Sequence, residues 1–310
     1  MHEDEPIKQE QQSVAERPAE DGQSNVMATF PAPGLLLLAI VSIQLGASVA
    51  THLFPVLGSD GTVAIRIIIS ALLLGLVARG RVRRFASLFV NDWGLLLAYG
   101  LCIAVMNFFF YKSISLIPLG AAVAIEFVGP LGVAALASHR PAHFACVGLA
   151  AIGILLLTPL TGVDLDVLGI VFALMAGTGW ACFIFLSRRV ATRVSGNDGL
   201  AIGMAIAAIS MIPFAVPVAG ELINNPMLLL AGLGVALLST TLPFTLEFES
   251  LKRLSNRAYG VIVSAEPAVA ALIGALLLGE RIGVQGMIAV ACVVTAAIAI
   301  TVTDGREQRQ

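Results

Sequence analysis

The chain has 310 residues, of which 58% are hydrophobic and only 12% charged, and its mean hydropathy is +0.92. A soluble protein of this length would need helices with polar outer faces, and few of these segments have one, so composition excludes an ordinary soluble domain. The formal net charge is only −2, with most charges in the short connections and the terminal segments. We therefore expect an integral membrane protein in a lipid bilayer, with no nucleic-acid partner.

Residues 1–33 form a predicted disordered tail. Seven acidic side chains stand there against Lys8 and Arg17, with Gln and Ser between them, a composition typical of disorder. The tail lacks the basic and short apolar regions of a secretory signal peptide, so the first apolar segment is predicted to be a retained helix. Met27 is an alternative start.

Ten apolar segments follow, each close to the roughly 20 residues that an α-helix needs to cross a bilayer. We expect an all-α integral membrane protein with ten transmembrane helices. The predicted spans are 34–54, 61–79, 92–111, 117–137, 142–158, 167–187, 198–219, 226–247, 258–278 and 283–303.

The positive charges predict how these spans are oriented. Lys and Arg concentrate in alternate connections, and with a cytoplasmic N-terminus fifteen lie inside and two, Lys112 and Arg281, outside. Because cytoplasmic connections carry the excess of Lys and Arg, both termini are expected in the cytoplasm, with 304–310 as a short tail.

The spans divide into two sets of five, 34–158 and 167–303, and an odd number of spans inverts the second set relative to the first. An offset of 140 residues superposes Gly120 on Gly260 and Glu126 on Glu266. Coincidence among Gly/Ala/Leu-rich helices is the alternative. Inverted five-helix repeats are typical of secondary transporters, whose substrate binds near the midplane between the repeats.

Glu126 and Glu266 are the first candidate site residues, since each lies near the middle of a predicted span. An ionised carboxylate there costs roughly 2.5 to 3.5 kcal/mol on insertion scales, and intramembrane acids commonly mark ion or substrate paths. A structural alternative makes them buried polar contacts that never meet a substrate. Pro130 and Pro267 follow them and are predicted to break or kink the helices.

Arg66 lies about six residues into the second predicted span, among isoleucines. It either pairs with a carboxylate of protein or substrate or extends to the outer interface. Further polar and aromatic candidates for the same cavity are Gln44, Asn107, Tyr111, Trp180, Ser239, Thr240 and Thr241. Gln44 and Asn107 would equally suit hydrogen bonding between helices, and Tyr111 an interfacial aromatic belt.

Several activities have no support in the sequence. Four cysteines lie inside apolar segments without metal-ligand or disulfide spacing, so we expect no metal. No GxxxxGK[ST] loop is present, which argues against an ATP-driven pump. No convincing nucleophile and base set is found, so we predict a protein that is not an enzyme and has no cofactor.

Three stretches carry a family resemblance: SIQLGASVATHLFPVLG (42–58), MNFFFYKSISLIPLGAAVAIEFVGPL (106–131) and LPFTLEFESLKRLSNRAYGVIVSAEPAVAALIGALLLGE (242–280). The chain resembles the EamA-type carriers of the drug/metabolite transporter superfamily over about 34–303, and within it the bacterial threonine/homoserine exporters. The acidic tail departs from that pattern. The resemblance implies export of small amino acids across a bacterial inner membrane by proton antiport, with Glu126, Glu266 and Arg66 at embedded charged positions.

Three hypotheses follow. The first is a secondary active exporter of threonine- or homoserine-like amino acids, with protons and the amino acid as its small-molecule partners. The second is a permease of the same fold for another metabolite or a drug. The third is a non-transporting membrane scaffold, whose buried glutamates only stabilise the fold.

Overall fold

The computed structural model describes residues 30–78, 82–136, 141–156, 165–193, 198–251, 253–254, 256–281 and 283–307. Of the predicted tails, 1–29 and 308–310 lie outside this part of the chain, as do short pieces of several predicted spans. The described residues from Ala32 onward belong to one compact unit.

The described residues form helices joined by short turns, without a strand. Apolar segments in a bilayer must satisfy their backbone polar groups internally, and the α-helix does so within one segment. The helices are α1 (Ala32–Thr51), α2 (Phe54–Ala78), α3 (Val82–Ile114), α4 (Leu119–Glu126), α5 (Val128–Leu136), α6 (Pro141–Leu156), α7 (Val167–Arg193), α8 (Asp198–Ala215), α9 (Ala219–Asn224), α10 (Met227–Ala236), α11 (Leu242–Leu251), α12 (Asn256–Val263), α13 (Glu266–Leu277) and α14 (Val284–Glu307).

Within the described ranges, seven helical stretches are long and apolar enough to cross a membrane: Ala32–Thr51, Phe54–Leu76, Asp92–Ile114, Val167–Val190, Gly199–Asn224, Met227–Glu247 and Tyr259–Leu277. Leu119–Val133 and Val284–Ala299 are shorter apolar helices. The prediction of an all-helical, multi-pass membrane protein is confirmed. The number of ten spans and their inverted arrangement stay predictions.

Several helices are irregular. Gly58 has φ +65° and separates the first turn of α2 from the rest, a conformation that glycine adopts without a steric penalty. Leu237–Thr241 forms a π-helical turn between α10 and α11. Because such turns leave the regular bonding pattern, they redirect side chains and are frequent at functional sites.

Six helix pairs make extensive contacts: α1 with α11, α2 with α8, α3 with α7, α3 with α8, α4 with α13, and α6 with α14. Small residues permit close approach in two of them. A Cβ on Gly153 of α6 would lie 2.8 Å from the Ala289 carbonyl oxygen of α14, and one on Gly120 of α4 would lie 2.7 Å from the Ala271 Cβ of α13. Such contacts are typical of membrane helices, which associate through close packing and not through burial from water.

Candidate functional site

Both glutamates lie at helix interruptions. Glu126 is the last residue of α4, and α5 begins two residues later at Val128. Glu266 is the first residue of α13, after a turn at Ser264 and Ala265.

The two prolines lie beside these interruptions, Pro130 in the first turn of α5 and Pro267 next to Glu266. Proline has no N–H group, so each leaves the carbonyl four residues earlier, that of Glu126 or Val263, without its helical donor. This local chemistry accounts for breaks close to both carboxylates.

Helix α7 packs directly against the first interruption. A Cβ on Gly177 would lie 2.5 Å from the backbone carbonyl oxygen of Glu126, so only glycine permits this approach. Three residues later, the Trp180 indole meets the Phe127 ring edge to face, with centroids 5.5 Å apart. These contacts hold the residue after Glu126 in place.

A cavity of about 190 Å³ lies between the helices, and nine of the ten predicted cavity residues line it. Seven of them are the charged, amide and aromatic candidates. They come from α1, α2, α3, α4, α7 and α13: Gln44, Arg66, Asn107, Tyr111, Glu126, Trp180 and Glu266. Ser239 and Thr240 of the π-helical turn also line the cavity, whereas Thr241 is not among its lining residues. Which of these residues act in transport stays a prediction.

Arg66 is buried, with 7% of its surface exposed. Its Nη1 donates to Ser239 Oγ over 3.2 Å, and its Nη2 donates to Asn107 Oδ1. The guanidinium carbon lies 5.0 Å from the centroid of the Tyr111 ring, a cation–π distance. Tyr111 is itself only 1% exposed, so it is not at the protein surface, where an interfacial belt would place it.

The partners of Arg66 are therefore neutral. Among the described residues no carboxylate forms a salt bridge with it, and its Nε has no hydrogen-bond partner. Asn107 is oriented in turn, because its Nδ2 donates to the Ile103 carbonyl over 2.8 Å. These contacts fix the position of the Arg66 guanidinium and leave its Nε–H without an acceptor among the described residues.

The carboxylates have different surroundings. Glu266 is half-buried and accepts a hydrogen bond of 3.1 Å at Oε1 from Gln44 Nε2. Glu126 is 8% exposed, and its side chain has no hydrogen bond or ion pair within the described part of the chain. Gln44 is 1% exposed, and its Oε1 has no partner there.

Sequence reasoning did not identify the apolar lining, which includes Ile43, Ile103, Met106, Phe110, Phe183, Met204 and Phe244. Residues of this type occur throughout the chain, so nothing in the sequence distinguishes them. It also missed how the π-helical turn is held. Ser42 Oγ donates to the Leu238 carbonyl over 2.6 Å, and a Cβ on Gly46 would lie 2.8 Å from Ser239 Cβ. Thus α1 positions the hydroxyl that binds Arg66.

A cavity that holds charged and amide side chains between apolar helices of membrane-spanning length defines a multi-pass membrane protein with an internal candidate site. Residues 167–302 match the model of the EamA-like transporter family. The chain is 41% identical over 277 residues to the threonine/homoserine exporter RhtA of Salmonella typhimurium (strain SL1344), covering 88% of this chain and 92% of that protein. This chain belongs to the EamA-like transporter family.

A second relative is consistent with this membership. The Escherichia coli (strain K12) threonine/homoserine exporter RhtA is 40% identical over 278 residues, which cover 89% of this chain and 92% of the relative. A protein of known crystal structure aligns with 88% of this chain and 96% of its own, with a TM-score of 0.50 and 19% identity. At that identity the likeness concerns the fold alone. The family resemblance predicted from the sequence is confirmed.

Proposed function

We propose that this protein exports small zwitterionic amino acids, threonine- or homoserine-like, across the bacterial inner membrane in exchange for protons. The family membership and the names of the relatives, threonine/homoserine exporters, support transport of this class. Transport driven by a gradient needs a binding cavity and no enzymatic centre, so we propose that the protein is not an enzyme.

The observation that carries the proposal is a buried guanidinium with neutral partners in the same cavity as two carboxylates. An α-amino acid presents one carboxylate and one ammonium group. Arg66 would bind the substrate carboxylate, since its charge has no carboxylate partner in the described protein and arginine binds carboxylates in a fork geometry. The ammonium group would bind a cavity glutamate.

Cavity size supports a small cargo. Its volume of about 190 Å³ is below the roughly 300 Å³ at which pockets for drug-sized ligands begin. A substrate with several phosphates would need more than one cation, and of the lining residues that the structure describes only Arg66 is a Lys or Arg. Both features favour an amino acid over a drug or a nucleotide sugar.

Proton exchange is assigned to the glutamates. A carboxyl group that makes no hydrogen bond can take up and release a proton without breaking a protein contact, and within the described residues Glu126 is such a group. Intramembrane acids commonly serve in proton relays. We propose that Glu126 carries the proton and that Glu266, held by Gln44, meets the substrate ammonium.

The proposal includes ten spans in two inverted repeats, 34–158 and 167–303. A twofold pseudosymmetry would exchange the two repeats, so that the first predicted span takes the place of the sixth, the second that of the seventh, and so on. Under this exchange the contact of the first span with the eighth becomes the contact of the sixth with the third. The contacts of the second with the seventh, the fourth with the ninth, and the fifth with the tenth are unchanged. Five of the six observed helix pairs thus suit a twofold pseudosymmetry. The sixth pair joins the third and seventh spans, and its counterpart is the smaller contact of α10 with α2. The charge distribution supports cytoplasmic termini.

Proteoliposomes test this proposal. Purified protein is reconstituted with internal labelled L-threonine, a pH gradient is imposed, and efflux is measured for the wild type, Glu126→Gln and Glu266→Gln. We expect gradient-dependent efflux from the wild type and at least a tenfold loss in each variant. Threonine efflux that does not depend on the pH gradient, or efflux at the wild-type rate in both variants, would contradict the mechanism.

The aromatic lining favours a second candidate, a less polar cargo on the same fold. Phe110, Phe183 and Phe244 present rings to the cavity, and such surfaces also bind apolar side chains. A thermal-shift comparison of hydroxylated amino acids, apolar amino acids and uncharged small molecules would separate the candidates. A larger shift with uncharged molecules than with threonine would favour the second.

A further inference from the structure

Helix α4 begins without a capping group of its own. Its N-cap residue is Pro118, whose side chain makes no capping hydrogen bond. The first N–H groups of any helix have no partner inside the helix, and they need one when they are buried. Leu119, the first residue of α4, is completely buried.

Glu280 supplies the missing cap from a distant part of the chain. The Leu119 N–H donates to both carboxylate oxygens of Glu280, over 2.9 Å to Oε1 and 3.0 Å to Oε2. The two residues are 161 positions apart. A carboxylate at a helix N-terminus is stabilised by the N–H groups and by the helix dipole.

The position of Glu280 is itself well defined. Gly279, with φ +66°, reverses the chain after α13, and the Glu280 N–H donates to the Gly274 carbonyl over 3.1 Å. The carboxylate passes over Gly274, where a Cβ would collide with Oε2. Burial raises the pKa of Glu280, and the backbone N–H groups of Leu119 and Gly120 oppose that rise. The contact with α4 thus partly offsets the effect of burial on the Glu280 carboxylate.

We propose that Glu280 is a positioning residue for the two cavity glutamates, because it fixes the helix that ends at Glu126 against the helix that begins at Glu266. Helix α4 spans seven steps from Leu119 to Glu126, about 10 Å at 1.5 Å per residue. It packs on α13 between these points, where Gly120 meets Ala271. The contact of Glu280 with Leu119 therefore fixes one end of the packed helix pair α4 and α13. The carboxylates of Glu126 and Glu266 lie at the other end of this pair. The inference rests on the proposed function, since it takes both glutamates to act in transport.

Four variants test it: Glu280→Ala, Glu280→Gln, Gly274→Ala and the Gly274→Ala/Glu280→Ala double variant. Full-length protein is purified, the folded monodisperse fraction is reconstituted, and threonine efflux per folded molecule is measured across a range of pH. The matched control is Gln285→Ala, which also removes a side-chain bond to a helix end, that of Gln285 Nε2 to the Leu156 carbonyl of α6 (2.9 Å).

We expect Glu280→Ala and Gly274→Ala each to lower efflux per folded molecule at least tenfold and to displace its pH profile. The double variant should be no worse than the worse single variant, because both substitutions remove the same contact. Glu280→Gln keeps an acceptor of the same length and should retain at least a third of the efflux.

A purely structural role predicts something different. Glu280→Ala would then match Gln285→Ala, with less folded protein but an unchanged pH profile, and this result would overturn the inference. If Glu280→Ala does not fold, Gly274→Ala and Glu280→Gln decide by the same criteria. Efflux at the wild-type rate in Glu126→Gln would refute the proposed function instead. Loss of efflux in Glu126→Gln, together with wild-type efflux and pH profile in Gly274→Ala, would refute this inference alone.

Discussion

Gln44 donates a hydrogen bond of 3.1 Å from Nε2 to Oε1 of Glu266, across 222 positions of the chain. The contact joins α1 to α13 at the wall of the cavity and orients one carboxylate. Glu126 lines the same cavity without such a partner among the described residues. The two glutamates, related by the 140-residue offset, are therefore not equivalent in their surroundings.

This difference predicts separate effects for the two amide variants in an exchange assay. With equal pH on both sides, labelled threonine exchanges for unlabelled threonine without net proton movement. Glu126→Gln should keep exchange within about threefold of wild type while losing gradient-driven efflux. Glu266→Gln should lose both, because the substrate ammonium loses its carboxylate partner.

Glu221→Gln, an exposed site on α9, is the control and should behave as wild type in both assays. Loss of exchange in Glu126→Gln with its retention in Glu266→Gln would reverse the two roles. Equal loss of exchange in both variants would mean that both carboxylates contact the substrate.

Arg66→Lys should raise the threonine KM about ten- to a hundredfold. Lysine keeps the charge, but it cannot donate to Asn107 and Ser239 and also bind a carboxylate through two parallel hydrogen bonds. A hydrogen bond to a charged group contributes roughly 1.5 to 3 kcal/mol. Kinetics of efflux from loaded vesicles measure the effect. The control is Arg193→Lys, because the Arg193 side chain is 60% exposed and pairs with Asp92. An equal rise of the threonine KM in Arg193→Lys would contradict the role assigned to Arg66.

Gln44→Met should reduce discrimination between threonine and L-2-aminobutyrate, which lacks the hydroxyl group. The Gln44 Oε1 is a buried acceptor without a partner among the described residues, and a site that bonds a substrate hydroxyl rejects the analogue lacking it. We expect the ratio of the two kcat/KM values to fall about tenfold. A ratio within one protein cancels differences in folding, so an unchanged ratio would show that Gln44 does not sense the hydroxyl.

Gly46→Ala should lower the melting temperature and weaken substrate binding together. The new Cβ would lie 2.8 Å from Ser239 Cβ and 2.9 Å from its backbone nitrogen, displacing the turn that holds Arg66. Overpacking of this kind costs about 1 to 3 kcal/mol. Gly75→Ala in α2 is the control: nothing lies within 4 Å of its Cβ position, so it should be neutral or stabilise by up to about 1 kcal/mol. Equal melting temperatures for both variants would contradict the predicted clash.

Much of the candidate site could be predicted from the sequence, because charged and amide side chains are rare in apolar spans and are conspicuous there. Arg66, Glu126 and Glu266 stand out in this way, and the cavity brings them together. The apolar lining could not be predicted, since Ile, Phe and Met are numerous in the apolar segments and nothing in the sequence marks those that face the cavity. The sequence also contains no signal for the π-helical turn. Nor could the cap on α4 be predicted, because Glu280 and Leu119 are far apart in the chain.

The sequence by itself determined that this is a multi-pass helical membrane protein of a recognisable transporter family. Long apolar segments permit no other way to satisfy the backbone in lipid, and local motifs carry the family. Only the tertiary structure decided the contacts. In the part of the chain that the structure describes, it gives Arg66 neutral partners, Glu266 an amide donor that Glu126 lacks, and α4 a cap from Glu280. These depend on which helix faces meet, and hydropathy is nearly the same on every face of such helices, so their packing and not their composition selects the neighbours.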